Sequence, residues 1–353
     1  MIVIRARNVH MALPIAINTL EQVGTISDSR NGMVIAAPEA VTTVYERPME
    51  RVLFHDWRDA NPFFHFYESL WMLAGRRDIA PLVRYVSRFT EYSDDGIIMN
   101  AAYGWRWRVT NDDQLHEIVK QLRENSGTRR AVLQIWSAGE DLFMGGKDVA
   151  CNIAATFQVR REGVLDMNVF CRSNDIIWGC YGANAVHFSM LHEYIAARSG
   201  YPIGRYTQTS VNWHAYLDIW NRMAPQCVSA NYSDPYADGL AAPTPLFMAT
   251  NGAVSDRDAD DWDRDCRMFV NASGTAPSES LLKTPFFRHV ALPIVRAHDV
   301  FKDRADGTVS RFIKAQELLN ACAAEDWRIA CRMWLTKRMN NELHRSMLKE
   351  IQK

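Results

Sequence analysis

No run in this 353-residue sequence approaches the roughly 20 consecutive apolar residues that a membrane-spanning helix needs. The opening segment, Met1 to Leu20, is interrupted by Arg5, Arg7, Asn8 and Asn18 and lacks a small-residue cleavage pattern, which argues against a secretory leader. An excess of one charge is missing too, since 40 Lys and Arg stand against 41 Asp and Glu. Without a global field, no direct binding to nucleic acid or to a membrane is expected, and any anion site has to be a local group of arginines. The seven cysteines are odd in number and show neither CxxC nor Cys/His spacing, so neither a disulfide framework nor a structural metal site is expected. Reduced thiols in a cytoplasm fit this usage. Repeats and low-complexity tracts are absent. What remains is a chain with 48% hydrophobic residues, long enough for one large domain or two modest ones around a sizeable core.

The pattern predicts a mixed order of elements. Asn61 to Gly75 reads as a largely buried helix, with Asn61 as N-cap, Pro62 in the first turn and Gly75 as terminator. An amphipathic helix follows over about Asp112 to Asn125, carried by Leu115, Ile118, Val119 and Leu122, and a strand over Ala131 to Trp136. Asn152 to Arg160 and Val164 to Ser173 read as a hairpin turning at Glu162-Gly163, which puts Cys151 and Arg172 near the same end of it. Ala185 to Ser199 reads as a helix and Arg205 to Trp213 as a strand. This order predicts an α+β fold with one large mixed sheet packed with helices. Three regions are expected: a core over 1–223, a loop-rich insertion over 224–308 with an acidic helix near Asp256 to Met268, and two C-terminal helices over 309–353 docked on the core.

Cys151 is the centre of interest. In isolation a free cysteine reads as a small buried hydrophobe. A nearby guanidinium favours the thiolate, however, and Arg172 in Cys171-Arg172-Ser173-Asn174-Asp175 is placed to supply one. Glu68 sits among Phe64, Leu70, Trp71 and Met72, and a carboxyl in such surroundings is expected to have a raised pKa suited to proton transfer. Arg30, Arg129, Arg130 and Arg172 each adjoin a turn or a strand end and together suggest a phosphate clamp. His214 and Tyr216 share one side of a strand, which suits paired hydrogen bonds to a sugar hydroxyl as well as it suits core packing. Trp105 and Trp107 read as core.

Taken in order, these segments resemble the thymidylate synthase superfamily over roughly Ser27 to Tyr216. The likeness rests on Ser27-Asp28-Ser29-Arg30-Asn31-Gly32, the Glu68 to Gly75 stretch, Tyr103-Gly104-Trp105-Arg106-Trp107-Arg108, Thr128-Arg129-Arg130, Ala150-Cys151-Asn152, the Cys171 to Asp175 stretch and His214-Ala215-Tyr216. The resemblance implies that Cys151 adds to C6 of a pyrimidine nucleotide, that Glu68 organises proton transfers, and that 5,10-methylenetetrahydrofolate provides the one-carbon unit. It further implies that Arg30, Arg172 and Ser173 hold the phosphate, and that Arg129 and Arg130 reach in from the second subunit of a sheet-face homodimer. His214 and Tyr216 would bind the sugar, and Asp175 and Gly179 would face the folate. Asn184 would read the base, favouring uracil because an amide both donates and accepts.

Several positions depart from the family pattern. One residue more than usual separates Gly179 from Asn184, the usual Pro there is absent, and Ala150-Cys151-Asn152 stands for Pro-Cys-His. Thr156 replaces a common Gln, and Trp178 a smaller aliphatic. The sequence as given ends in a basic stretch, Arg345 to Lys353, rather than a short apolar tail. Poorer exclusion of water would direct the C5 methylene toward hydroxymethyl rather than methyl. The expected activity is therefore hydroxymethylation of dUMP, as in enzymes of viruses that modify their DNA bases, which would place it in a host cytoplasm. Thymidylate synthesis and dCMP or CMP hydroxymethylation are the alternatives. Two other classes stand against these: a cysteine hydrolase pairing Cys151 with His187, His192 or His214, and a nucleotide-binding protein without turnover. The arginine group has no task in the hydrolase, and no protease-like signature surrounds Cys151.

Overall fold

The computed structural model describes residues 1–110, 112–229, 233–248, 254–271, 275–305 and 307–351. Eight strands form one sheet among these residues: β1 Ile2–Ala6, β2 Thr25–Ser29, β3 Gly32–Ala36, β4 Val41–Tyr45, β5 Val132–Gln134, β6 Asn152–Val159, β7 Leu165–Asp175 and β8 Ile203–Tyr216. The order is β1-β4-β8-β7-β6-β5, with β3 beside the end of β8 and β2 paired to β3. β1 with β4 and β7 with β8 are parallel, and the other pairs are antiparallel. The sheet is mixed, as the order of elements predicts. β8 is the hub, since residues 206–210 pair with β4 while residues 214–216 pair with β3.

The longer helices are α1 Val9–Val23, α2 Pro62–Leu73, α3 Tyr103–Arg108, α4 Gln114–Glu124, α5 Asn184–Ser199, α6 Leu217–Ser229, α7 Asp256–Phe269, α8 Leu292–Lys302, α9 Thr308–Leu318 and α10 Glu325–Ile351. α5 is buried along nearly its whole length and contacts both α2 and the strands β7 and β8, and its buried charges are matched, Glu193 by Arg51 and Arg198 by Asp263. In α2 the Asn61 side chain accepts from Phe64 N, Pro62 opens the helix, and Gly75 closes it at φ 72°.

The boundaries differ from expectation where local chemistry intervenes. Asp112 lies at φ 57°, so α4 starts only at Gln114, with Asp113 capping His116 N. β5 is shorter than Ala131 to Trp136, because Ile135 N and Trp136 N both donate to Ile153 O and end the ladder. The expected boundary at 223/224 falls inside α6, which continues through Pro225. Parts of the expected insertion, residues 230–232, 249–253, 272–274 and 306, lie outside the described residues, as do 352–353 of the basic terminus. Within the insertion, Asp263 on α7 receives hydrogen bonds from Arg108, Tyr194 and Arg198. At the C-terminus, Trp327 and Trp334 of α10 pack edge-on against Phe66 and Phe63 of α2, and Arg338 pairs with Asp59.

α3 lies tight against the end of α2. A Cβ on Gly104 would stand 2.0 Å from Met72 O, with backbone rather than a flexible side chain in the way. Gly104→Ala is therefore expected to cost about 1–3 kcal/mol in urea unfolding. An unchanged midpoint would show that the helices slide apart freely.

Candidate active site

The hairpin of β6 and β7 builds the thiol's surroundings. Asn152 pairs with Cys171, and Arg172 N donates to Cys151 O at 2.9 Å, so Cys151 and Arg172 share one end of the hairpin. Arg172 then folds back over the loop before the cysteine. Its Nε donates to Ala150 O at 2.8 Å, its Nη2 to Val149 O at 3.3 Å, and its guanidinium lies 5.4 Å from the Trp136 ring. Cys151 is half-buried, whereas the other six cysteines are buried. Arg172 and Arg30 do favour the thiolate, but burial is the larger influence and pushes the Cys151 thiol up, so it is neutral near pH 7 in the free protein.

Arg30, at the tip of the β2–β3 hairpin, reaches across to the same loop, with Nη1 3.4 Å from Gly146 O and Nη2 3.5 Å from Lys147 O. Next to it, Asn31 donates to the Tyr216 hydroxyl at 3.3 Å. Ser173 is half-buried on β7, one residue beyond Arg172. Arg30, Arg172 and a third cation, Arg58, have hydrogen bonds to main-chain carbonyls and no carboxylate partner among the described residues. By contrast Arg51, Arg106 and Arg108 are neutralised by Glu193, Asp141 and Asp263. A cation satisfied by carbonyls keeps its charge for an incoming anion. Arg129 and Arg130 stand exposed on the turn before β5, and neither side chain makes a hydrogen bond or ion pair among the described residues.

The far end of β7 gathers a second group. Parallel pairing sets Asp175 beside His214, and the His214 and Tyr216 rings meet edge to face at 5.4 Å. Asp175 Oδ1 caps the following turn at Trp178 N, while Oδ2 is buried with no partner. Burial raises the Asp175 carboxyl, against the pull of His214 and Arg58. Arg58, fully buried and lowered to about 10 by that burial, donates to Ile177 O and lies 4.4 Å from the Trp178 ring, whose own exposure is 43%. Asn184 donates to Asn174 Oδ1 at 3.1 Å, and Asn174 donates to Ser210 Oγ at 3.1 Å. A Cβ on Gly179 would approach Asn174 Oδ1 to 2.7 Å, which gives that glycine a steric reason.

Glu68 is buried on α2, and sequence reasoning missed its partner. His187 on α5 places Nε2 3.0 Å from Glu68 Oε2, with both side chains nearly sealed. Sequence reasoning also left Tyr103 without a role. Its hydroxyl lies within electrostatic reach of Cys151 and beside Asn152, and burial raises its pKa. Trp107 is core, as predicted, but Trp105 is half-buried under Arg77, 4.4 Å away. A cleft of about 510 Å³ opens beside Arg77, Trp105, Arg106 and Phe143, yet none of the residues above that surround the thiol lines it.

Comparison with known proteins places this arrangement. The thymidylate synthase family model matches residues 57–238. A deoxyuridylate hydroxymethyltransferase of Pseudomonas phage M6 is 48% identical over 344 residues, covering 95% of this chain and 94% of that protein. One of Bacillus phage SP01 is 35% identical, over 53% of this chain and 52% of that protein. The crystal structure of thymidylate synthase from T4 phage aligns at a TM-score of 0.50 and 18% identity, covering 62% of this chain and 81% of that one, which is a likeness of fold.

With six cysteines buried, iodoacetamide should label Cys151 first. The labelling rate is expected to climb about tenfold per pH unit from pH 7 to pH 9, because the thiol is held above its ordinary range. Arg172→Gln removes a cation that favours the thiolate and should slow labelling at pH 8 by about threefold. A rate that levels off below pH 8 would contradict the dominance of burial.

Proposed function

Because this chain belongs to the thymidylate synthase family, we propose that it hydroxymethylates C5 of dUMP through a covalent Cys151 adduct at C6. The observation that carries the choice of product is the 48% identity, over nearly the full length of both chains, with a deoxyuridylate hydroxymethyltransferase. The carbonyl-bound arginines beside Cys151 support a nucleotide phosphate as the anion.

The chemistry follows from the positions. C6 of the uracil is the far carbon of a conjugated carbonyl, so bond formation with the Cys151 sulfur makes C5 nucleophilic. The thiol arrives protonated and gives up its proton as the bond forms, with Tyr103 as a titratable neighbour. Arg30, Arg172 and Ser173 hold the phosphate, with His214 and Tyr216 on the sugar. Asn184, fixed from behind by Asn174, reads the pyrimidine edge. Arg129 and Arg130 are free to act on a second copy of the chain. A dimer through the sheet face would cover Val132, Phe170 and Val211, which are 46%, 43% and 62% exposed.

The residues present also fit a folate. Asp175 Oδ2 is a buried acceptor without a partner, and Trp178 offers an exposed indole face at Gly179. When bound, 5,10-methylenetetrahydrofolate supplies a one-carbon unit at the oxidation level of formaldehyde. Asp175 would orient it by accepting a hydrogen bond, and Trp178, backed by Arg58, would stack on it. The regions 224–308 and 309–353 are proposed to serve the core as an insertion and a docked helical cover.

The test is product identity. With methylenetetrahydrofolate and dUMP, the expected products are 5-hydroxymethyl-dUMP and tetrahydrofolate, and Cys151→Ala should lower turnover by at least about 1,000-fold. A methylated nucleotide accompanied by dihydrofolate would overturn the reading. Asn184→Asp should shift preference from dUMP toward dCMP by about tenfold or more, and an unchanged preference would assign base reading to another residue.

A further inference from the structure

Polar atoms sealed from solvent and left without a hydrogen bond are uncommon in proteins. Three of them belong to two residues that face each other: Glu68 Oε2 and both ring nitrogens of His187. A short chain of contacts links this pair to the thiol. Asn152 follows Cys151 and meets the Tyr103 hydroxyl. The Tyr103 ring lies 6.1 Å from Phe188, the residue after His187, and Gly104 seats this turn on the helix that carries Glu68.

Glu68 and His187 are within ion-pair distance at 3.0 Å, with side-chain exposures of 9% and 2%, but they are out of line for a hydrogen bond. Each therefore keeps a hydrogen-bonding capacity that the protein does not use. A group that meets a carboxylate and an imidazole nitrogen together must donate and be able to lose a proton, and water does both. His65 lies close enough to influence His187, yet burial holds its pKa well below the ordinary range, so it stays uncharged and does not oppose a proton on His187.

We propose that Glu68 and His187 together hold the water that attacks the C5 methylene carbon, and that His187 takes its proton. The inference rests on the hydroxymethyl reading above and assigns the residue that makes it possible. In the step, the water oxygen bonds to the exocyclic carbon, the C5–methylene π pair moves into the ring as the enolate of the C4 carbonyl, and the released proton goes to His187. The enolate pair then re-forms the C5–C6 double bond and expels the Cys151 sulfur, which recovers a proton. Nothing is oxidised or reduced.

The step can be read without folate by running it backward. The complete protein is incubated with 5-hydroxymethyl-dUMP in heavy-oxygen water, and label entering the hydroxymethyl group is followed by mass. Exchange of the C5 hydrogen of dUMP, which needs the thiol but no attacking water, is measured in parallel. In His187→Gln, which keeps an amide near Nε2 but cannot take a proton, and in His187→Leu, oxygen exchange should fall about 100-fold. Hydrogen exchange should stay within about threefold of the unaltered protein. Oxygen exchange in His187→Gln at the unaltered rate would overturn the proposal. So would a parallel loss of both exchanges in both variants, which would make His187 a support of the fold. If the unaltered protein exchanges the C5 hydrogen but not oxygen, the hydroxymethyl reading falls as well, and the two failures are thereby told apart.

Discussion

The site depends on the register of one strand. β7 is held between β6 on one side and β8 on the other, and its last four residues set three functions at once. Arg172 grips the loop that carries the thiol, Ser173 follows on the same strand, and Asp175 faces His214 and caps the turn that leads to Gly179 and Asn184. Because strand side chains alternate with a period of two, a slip of one residue would turn Arg172 away from Ala150 O and bring a core residue to the thiol. The core blocks that slip, since Leu165, Met167, Val169 and Cys171 are fully buried on the opposite face. Apolar packing on one side of the sheet thus fixes where Arg172 points on the other.

Two opposed electrostatic environments follow from this. At Cys151 the cost of desolvating a thiolate exceeds the benefit of two guanidinium groups, which favours the neutral thiol. At the arginines the balance differs, because a guanidinium retains its proton even when burial lowers it to about 10, as at Arg58. Carbonyl acceptors then orient the cation without cancelling it, which no carboxylate could do. The result is a neutral thiol inside a positive frame. Elsewhere in the chain, buried arginines are matched to acids and serve packing, as Arg106 does with Asp141.

Local signals made much of this legible. The cap at Asn61, the stop at Gly75, the turn at Gly163 and the alternation along β7 each act within a few residues, and they fixed α2 and the hairpin end shared by Cys151 and Arg172. The links that escaped are those made by long-range pairing. His187 follows Glu68 by more than a hundred residues, and only the packing of α5 on α2 brings them together. The Asn174–Asn184 bond spans a kinked turn with non-helical angles at Tyr181 and Gly182, which no periodicity describes. The thiol's raised pKa was misjudged for a related reason. Sequence shows which charges are near but not how much water is excluded, and here exclusion is the larger quantity.

The unpaired atoms argue for a site shaped by its ligands rather than by its own stability. A buried polar group without a partner costs on the order of 1–3 kcal/mol, and Glu68, His187, Asn152 and Asp175 all carry one. Such atoms also occur elsewhere among the described residues, at Tyr67, Tyr85 and His298 for example, so the mark of this place is the facing of Glu68 and His187. Any molecule that satisfies them adds stability in proportion to the logarithm of its concentration over its dissociation constant. On the proposed reading, the same groups would serve to hold nucleotide, cofactor and water in order. The third of these, on the proposal above, rests on Glu68 and His187, which face each other between α2 and α5 rather than at the arginine frame.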